Sequence, residues 1–155
     1  MITQAETPEQ IEEIRHLFLE YEAWLDVDLC FQSFEEELKN LPGKYVAPTG
    51  RLFLITVENK PAGCIALRKI GDEICEMKRL YLRDGFRGLG LGKRLIERLI
   101  KDAKVIGYKK MRLDTLPDKM PQAVKLYESY GFRQIEPYYE NPHTETLFME
   151  KELQH

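Results

Sequence analysis

Between residues 73 and 115 the chain changes its hydrophobic period twice. Glu73–Leu82 (EICEMKRLYL) is a dense run of strand-forming residues. Leu91, Leu95, Ile96, Leu99, Ile100, Ala103 and Ile106 then recur at helical spacing up to Gly107, and Lys110–Thr115 (KMRLDT) is again strand-like. A strand, a helix and a strand in this order predict a parallel pair joined by a right-handed crossover. The first strand is joined to the helix by Arg87-Gly88-Leu89-Gly90-Leu91-Gly92-Lys93. Three alternate glycines at such a turn let the backbone close on an anion, because the first amides of a helix are unpaired and its dipole favours negative charge. Two familiar phosphate loops do not fit. A Walker loop needs glycine where Arg87 stands and Ser or Thr where Arg94 stands, and a dinucleotide pattern starting at Gly88 places its third glycine at Lys93. What remains is R-x-x-G-x-G, with Arg87 and Lys93 able to neutralise a phosphate. A tight turn without a ligand is the alternative reading of the glycines.

The rest of the chain supplies the elements around this unit. Thr7-Pro8-Glu9-Gln10 reads as an N-cap, a first-turn proline and an acidic first turn, opening a helix that runs to about Leu25. Ser33 to Leu41 predicts a second short helix with Ser33 and Glu36 in capping-box order, stopped by Pro42-Gly43. Arg51–Glu58, Ala62–Lys69 and Glu73–Leu82 form an antiparallel meander with turns at Asn59-Lys60-Pro61 and Gly71-Asp72. A last helix is expected from about Pro121 to Tyr130, ended by Gly131, with closing strands at Phe132–Ile135 and Thr146–Glu150. The fold class is therefore α/β (α+β), with a mixed, mostly antiparallel sheet of about six to seven strands flanked by about four helices. One domain is expected over residues 1–155, since a chain of 155 residues buries enough surface for a single core without metal or disulfide staples.

Composition excludes several classes of partner. There are 23 Lys and Arg against 26 Asp and Glu, a formal charge of −3, whereas domains held to nucleic acid by a basic face usually lie above pI ~9. The N-terminus lacks the basic start and apolar core of a signal peptide, and no apolar run approaches the ~18 residues that span a bilayer. Cys30, Cys64 and Cys75 match neither a metal knuckle nor a disulfide framework, so a cytoplasmic setting is expected. His16, His143 and His155 are too scattered for a metal site, and none is expected. Glu35-Glu36-Glu37 reads as a solvated helix face or, alternatively, a cation-selective pocket rim.

The glycine loop Arg87-x-x-Gly90-x-Gly92 follows a strand ending Arg79-Leu80-Tyr81-Leu82, and Leu126-Tyr127-Glu128-x-x-Gly131-Phe132 comes later. Together these resemble the GNAT superfamily of acyl-CoA-dependent N-acyltransferases, over essentially the whole chain. The segments Cys75–Tyr81, Leu113–Pro117 and Pro137–Pro142 are similar to those of small bacterial single-domain members. The resemblance implies acetyl-CoA as co-substrate. Its pyrophosphate would lie on the loop Arg87, Gly88, Leu89, Gly90, Leu91 and Gly92, with Lys93 adjacent. Its pantetheine arm would run beside the main chain at Leu80, Tyr81 and Leu82, because a splayed strand offers free N–H and C=O groups. Tyr127 would protonate the departing thiolate, and Glu76 would take the proton of the incoming ammonium, directly or through water. The residues leave alternatives open. Tyr127 also fits a core stripe with Ala123 and Tyr130. Glu76 also fits a cross-strand ion pair, and simple alternation places it on the face of Ile74, Lys78 and Leu80 unless a bulge changes the parity.

One position departs from the family. Met120 stands where the resemblance expects a pantetheine-binding Asn, leaving that contact to another group such as Thr115. Asp114 and Ser129 receive no role, and Tyr138, Tyr139, Asn141 and His143 form a loop that in the family lines the acceptor pocket. Cys64 or Cys75 as an acyl-carrying nucleophile is a minor alternative, with no His in the same segments. The expected activity is acetyl transfer to a primary amine of a small molecule by direct attack in a ternary complex. The alternatives are acetylation of a protein lysine or N-terminus, or a non-catalytic acyl-CoA-binding module. Expected partners exclude nucleic acid and membrane, and a homodimer is left open.

Overall fold

The computed structural model describes residues 1–26, 29 and 33–153. Cys30 and His155 lie outside the described residues. The elements are β1 (Ile2–Gln4), α1 (Pro8–Leu25), α2 (Phe34–Lys39), β2 (Arg51–Val57), β3 (Lys60–Gly71), β4 (Ile74–Leu82), α3 (Leu91–Ile106), β5 (Lys110–Thr115), α4 (Pro121–Ser129), β6 (Arg133–Ile135) and β7 (Leu147–Glu152). The seven strands form one sheet in the order β1-β2-β3-β4-β5-β7-β6, antiparallel throughout except for the parallel pair β4 and β5. The crossover joining that pair is α3.

Local chemistry accounts for most of these boundaries. At the start of α1, Gln10 N–H donates to Thr7 Oγ1 at 3.1 Å and Thr7 N–H donates to Gln10 Oε1 at 3.1 Å, a reciprocal cap. The capping box expected at Ser33 does not form. Ser33 takes a left-handed conformation (φ 57°, ψ 40°), whereas an N-cap side chain reaches the helix amides from an extended backbone, and α2 is one and a half turns from Phe34. The first residues are a true strand, β1, too short to show a period. It is fixed by Ile2–Gln4 pairing with β2 and by Ala5 N–H donating to the Leu52 carbonyl at 2.8 Å.

Two apolar clusters pack on opposite faces of the sheet. Leu95, Ile96 and Leu99 of α3 pack with Phe53, Ile65, Leu67, Met77, Met111 and Leu113. On the other face Ile14, Leu17 and Phe18 of α1 and Phe34 of α2 pack with Leu52, Leu54, Ala66 and Tyr81. Each such fully buried side chain contributes roughly 1.5–3 kcal/mol, and together they hold the sheet between two helical layers.

Strand β4 is irregular where it matters. Lys78 faces Ala66 and Tyr81 faces Cys64, so two residues, Arg79 and Leu80, oppose the single Ile65, and Arg79 has φ 62°. This bulge reverses the parity. Cys75 and Met77 before it, and Leu80 and Leu82 after it, lie on the α3 side, while Arg79 and Tyr81 lie on the α1 and α2 side. Glu76 therefore does not share a face with Leu80, which corrects the grouping that simple alternation gives. A second irregularity follows. β4 pairs with β5 only over Ile74–Glu76 with Lys110–Arg112, while β5 keeps all six residues paired to β7. Beyond Glu76 the two parallel strands part.

Candidate active site

The parting of β4 and β5 opens a cleft. Lys78, Arg79 and Leu80 line one wall, Leu113, Asp114 and Thr115 the other, with Tyr21 of α1, Met120 just before α4 and Tyr127 of α4 closing it. It continues past Leu25 and Thr115 to Asn141, His143 and Thr146. The loop expected to line an acceptor pocket thus reaches the cleft through Asn141 and His143.

The glycine loop stands beyond the end of β4. Gly88 (φ 80°) and Gly90 (φ 76°) are left-handed, and Gly90 caps α3, its carbonyl accepting from Arg94 N–H at 3.2 Å. Among the described residues no backbone carbonyl accepts from the amides of Gly88, Leu89 or Gly90. The first amides of α3, at Leu91, Gly92 and Lys93, have no partner within the helix. Arg87, Gly88, Leu89 and Gly90 are exposed, as are Lys93 and Arg94, while Leu91 is buried. Arg87 behaves differently. Its Nε donates to the Leu82 carbonyl at 2.9 Å and its guanidinium lies 4.7 Å from the Trp24 ring centroid. Arg83 is held by Glu20 at 2.8 Å, so its charge is compensated locally.

Tyr127 is 4% exposed, with its ring edge-on to Phe132 at 5.9 Å. Its hydroxyl has no hydrogen-bond partner among the described residues. Burial raises its pKa well above the ordinary phenol value, and the nearby Tyr21 and Asp114 add to this, so it remains a proton donor across neutral pH.

Two carboxylates stand near the cleft. Glu76 is 2% exposed; its Oε1 is 2.8 Å from Arg68 Nε and its Oε2 accepts from Tyr138 Oη at 2.6 Å. The cross-strand ion pair is thus formed, between register partners of β3 and β4. Asp114 accepts from Tyr139 Oη at 2.5 Å through Oδ2, and Tyr139 Oη accepts in turn from Asn141 Nδ2 at 3.0 Å. Phe148, the register partner of Asp114 on β7, meets both tyrosine rings edge-on at 5.2 Å and so places them. Burial raises the Asp114 carboxyl above its ordinary value, and the Tyr139 hydrogen bond opposes this. Lys78 is lowered to about 8, first by burial and then by Arg79, with Glu76 opposing. Arg79 is held in the cleft wall by two 3.0 Å bonds to Glu37 of α2. Among the described residues two buried side-chain oxygens lack a hydrogen bond, Thr115 Oγ1 and Thr146 Oγ1, and both residues line this cleft.

Cys64 and Cys75 are buried core residues. Burial pushes the Cys75 thiol up to about 12 and raises Cys64 further, which leaves neither a ready thiolate.

Residues 11–132 match the sequence model of the acetyltransferase (GNAT) family. The chain belongs to the GNAT acetyltransferase family. An uncharacterized N-acetyltransferase of Schizosaccharomyces pombe is 39% identical to this GNAT protein, over 98% of the chain and 94% of the relative. A crystal structure of an acetyltransferase from Streptococcus agalactiae superposes with a TM-score of 0.80 at 25% identity, covering 99% of this chain and 98% of the other. A GNAT family acetyltransferase from Elizabethkingia anophelis, crystallised with acetyl-CoA bound, superposes with a TM-score of 0.57 at 27% identity, covering 68% and 77%. The GNAT protein is thus an N-acetyltransferase with the mixed α/β sheet of that family. Among the described residues no helix is long and apolar enough to cross a membrane.

The structure brings Leu80 and Tyr127 of the sequence-derived set into one cleft and sets the loop Arg87–Lys93 at the end of the strand that forms its wall. Tyr21, Lys78, Arg79 and Asp114 join them, and the sequence alone did not single these out as site residues. The adjacent charges Lys78-Arg79 inside an apolar strand are the signal for the bulge, because strict alternation would bury one of them in the α3 core.

Proposed function

We propose that this GNAT protein transfers the acetyl group of acetyl-CoA to a primary amine of a small molecule, by direct attack in a ternary complex. The observation that carries this reading is the pairing of a helix-capping glycine loop rich in unpartnered amides with a splayed strand whose cleft holds a protonated, unpartnered tyrosine hydroxyl. The residues present fit a CoA thioester. The amides of Gly88, Leu89 and Gly90 donate to no backbone carbonyl among the described residues and, with the first amides of α3, offer a cradle for the pyrophosphate, with Lys93 and Arg94 to balance its charge. On its β5-facing side, β4 has no strand pairing with Leu80, Tyr81 and Leu82 among the described residues, and although the Leu82 carbonyl accepts from Arg87, this side of the strand can pair with the amides of the pantetheine arm. Bound acetyl-CoA supplies an activated acetyl group on a thiol of pKa ~8.5.

Tyr127 donates its proton to the departing thiolate. Main-chain N–H groups of the splayed strand stabilise the carbonyl oxygen as charge develops on it. An ammonium of pKa ~10 must first lose a proton; the resemblance assigns this to Glu76, while Asp114 lines the cleft that holds Tyr127. The cleft is walled by side chains from α1, β4, β5 and α4, which supports a small acceptor over a folded protein.

The test is a thiol-release assay with acetyl-CoA and a panel of amines. At least one amine is expected to turn over; no turnover with any, together with no acetyl-CoA binding by calorimetry, overturns the reading. Labelled acetyl-CoA in cell extract, followed by mass spectrometry, is expected to place label on small molecules, and label confined to protein overturns that part.

A further inference from the structure

The two carboxylates differ in ways the reaction would feel. Glu76 lies at the last rung where β4 still pairs with β5, opposite Arg112, and it is outside the lining of the cleft. Both its oxygens are committed, Oε1 to Arg68 at 2.8 Å with Lys78 at 4.0 Å, and Oε2 to Tyr138 at 2.6 Å. Asp114 lies beyond that rung, where the strands have parted, and it lines both halves of the cleft. Only its Oδ2 is engaged, by Tyr139, and Oδ1 has no hydrogen-bond partner among the described residues. Its charge is felt by Tyr127 and by Tyr21, two tyrosines that line the same cleft.

We infer that Asp114, rather than Glu76, receives the acceptor's ammonium and takes its proton, while Glu76 is a positioning residue that holds Arg68 and Tyr138. This rests on the reading of the chain as an amine acetyltransferase. The ammonium gives one proton to Asp114 Oδ1, leaving a neutral amine and a neutral carboxyl. The nitrogen lone pair forms the C–N bond at the thioester carbonyl, and collapse of the tetrahedral adduct breaks the C–S bond. Tyr127 Oη protonates the thiolate. The second nitrogen proton, lost as the amide forms, restores Tyr127, and Asp114 returns its proton to solvent, so one proton is released per turnover.

The surroundings suit a base stronger than a carboxylate in water. Burial raises Asp114; the Tyr139 hydrogen bond and Lys78 lower it, Glu76 raises it, and Arg79 lowers it. Tyr21 of α1, Tyr127 of α4 and Tyr138 and His143 of the loop before β7 also border it. Removing the Tyr139 hydroxyl removes a group that favours the anion, so the Asp114 pKa must rise.

The pH–rate profile of kcat/KM for an amine identified by the thiol-release assay decides the matter. Asp114→Asn is expected to lower kcat/KM for the amine by about 10²-fold or more and to flatten the acidic limb, with acetyl-CoA affinity by calorimetry unchanged. Glu76→Gln should keep that limb. Tyr139→Phe should keep most activity at high pH and move the limb upward, a shift that a merely structural role for Asp114 does not produce. The inference is overturned if Glu76→Gln loses the limb and Asp114→Asn keeps it, or if Tyr139→Phe leaves the limb in place. A wild type that binds acetyl-CoA and turns over no amine, in the panel or in extract, overturns the functional reading itself and the inference with it.

Discussion

Tyr127 carries two separable properties in one side chain. Its ring fills the core beside Phe132, and its hydroxyl points into the cleft without a protein partner. Phenylalanine keeps the first and removes the second. Tyr127→Phe is therefore expected to leave thermal stability unchanged and acetyl-CoA affinity intact while kcat falls about 10²-fold or more, the size of a general-acid contribution. Melting curves, calorimetry and steady-state kinetics on one preparation check this; an unchanged kcat refutes the proton-donor role. Tyr127 was legible from its setting in Leu126-Tyr127-Glu128 because a motif fixes a residue to a local turn of helix. Asp114, Tyr21 and Arg79 were not legible in that way. They meet only because β4 bulges and parts from β5, and nothing in the local period of α1 or β5 states that those two elements border one cleft.

At the scale of elements, the loop and the start of α3 act together. Gly90 is the cap of α3 at φ 76°, and a Cβ built there meets no atom within 4 Å. Substitution thus costs backbone strain alone, roughly 1–2 kcal/mol for an ordinary side chain and less for Asp, which enters this region readily. Gly90→Asp also puts a carboxylate where the helix amides would hold phosphate. The expected result is loss of acetyl-CoA binding by calorimetry with a melting temperature only a few degrees lower; binding kept within about threefold would place the pyrophosphate elsewhere. The bounds of α3 and β5 were readable because Gly107 ends one and the period of the other is clean. β1 and the cap of α2 were not. Three residues carry no period, and the Ser33–Glu36 spacing does not reveal that Ser33 is left-handed, a conformation from which its side chain makes no cap bond.

For the whole molecule, the formal charge of −3 and the proposed polyanionic substrate stand in apparent conflict. The structure divides the charge by place. Arg79 is bound to Glu37, Arg83 to Glu20 and Arg68 to Glu76, so these cations add little to the long-range field. Lys93 and Arg94, at the N-terminus of α3, are exposed beside the unpartnered amides. Attraction of CoA phosphates would then come from a local field against a weakly repulsive whole, and the two respond to salt with opposite signs. Raising ionic strength from about 0.01 M to about 0.15 M shortens the Debye length from about 30 Å to about 8 Å. If net charge governed binding, screening the repulsion would tighten it. If the α3 terminus and its cations govern, as the loop geometry supports, screening weakens the contact and the acetyl-CoA Kd rises with salt. Calorimetric titrations across that range measure the sign directly, and a Kd that falls with salt would remove the anion site from the start of α3.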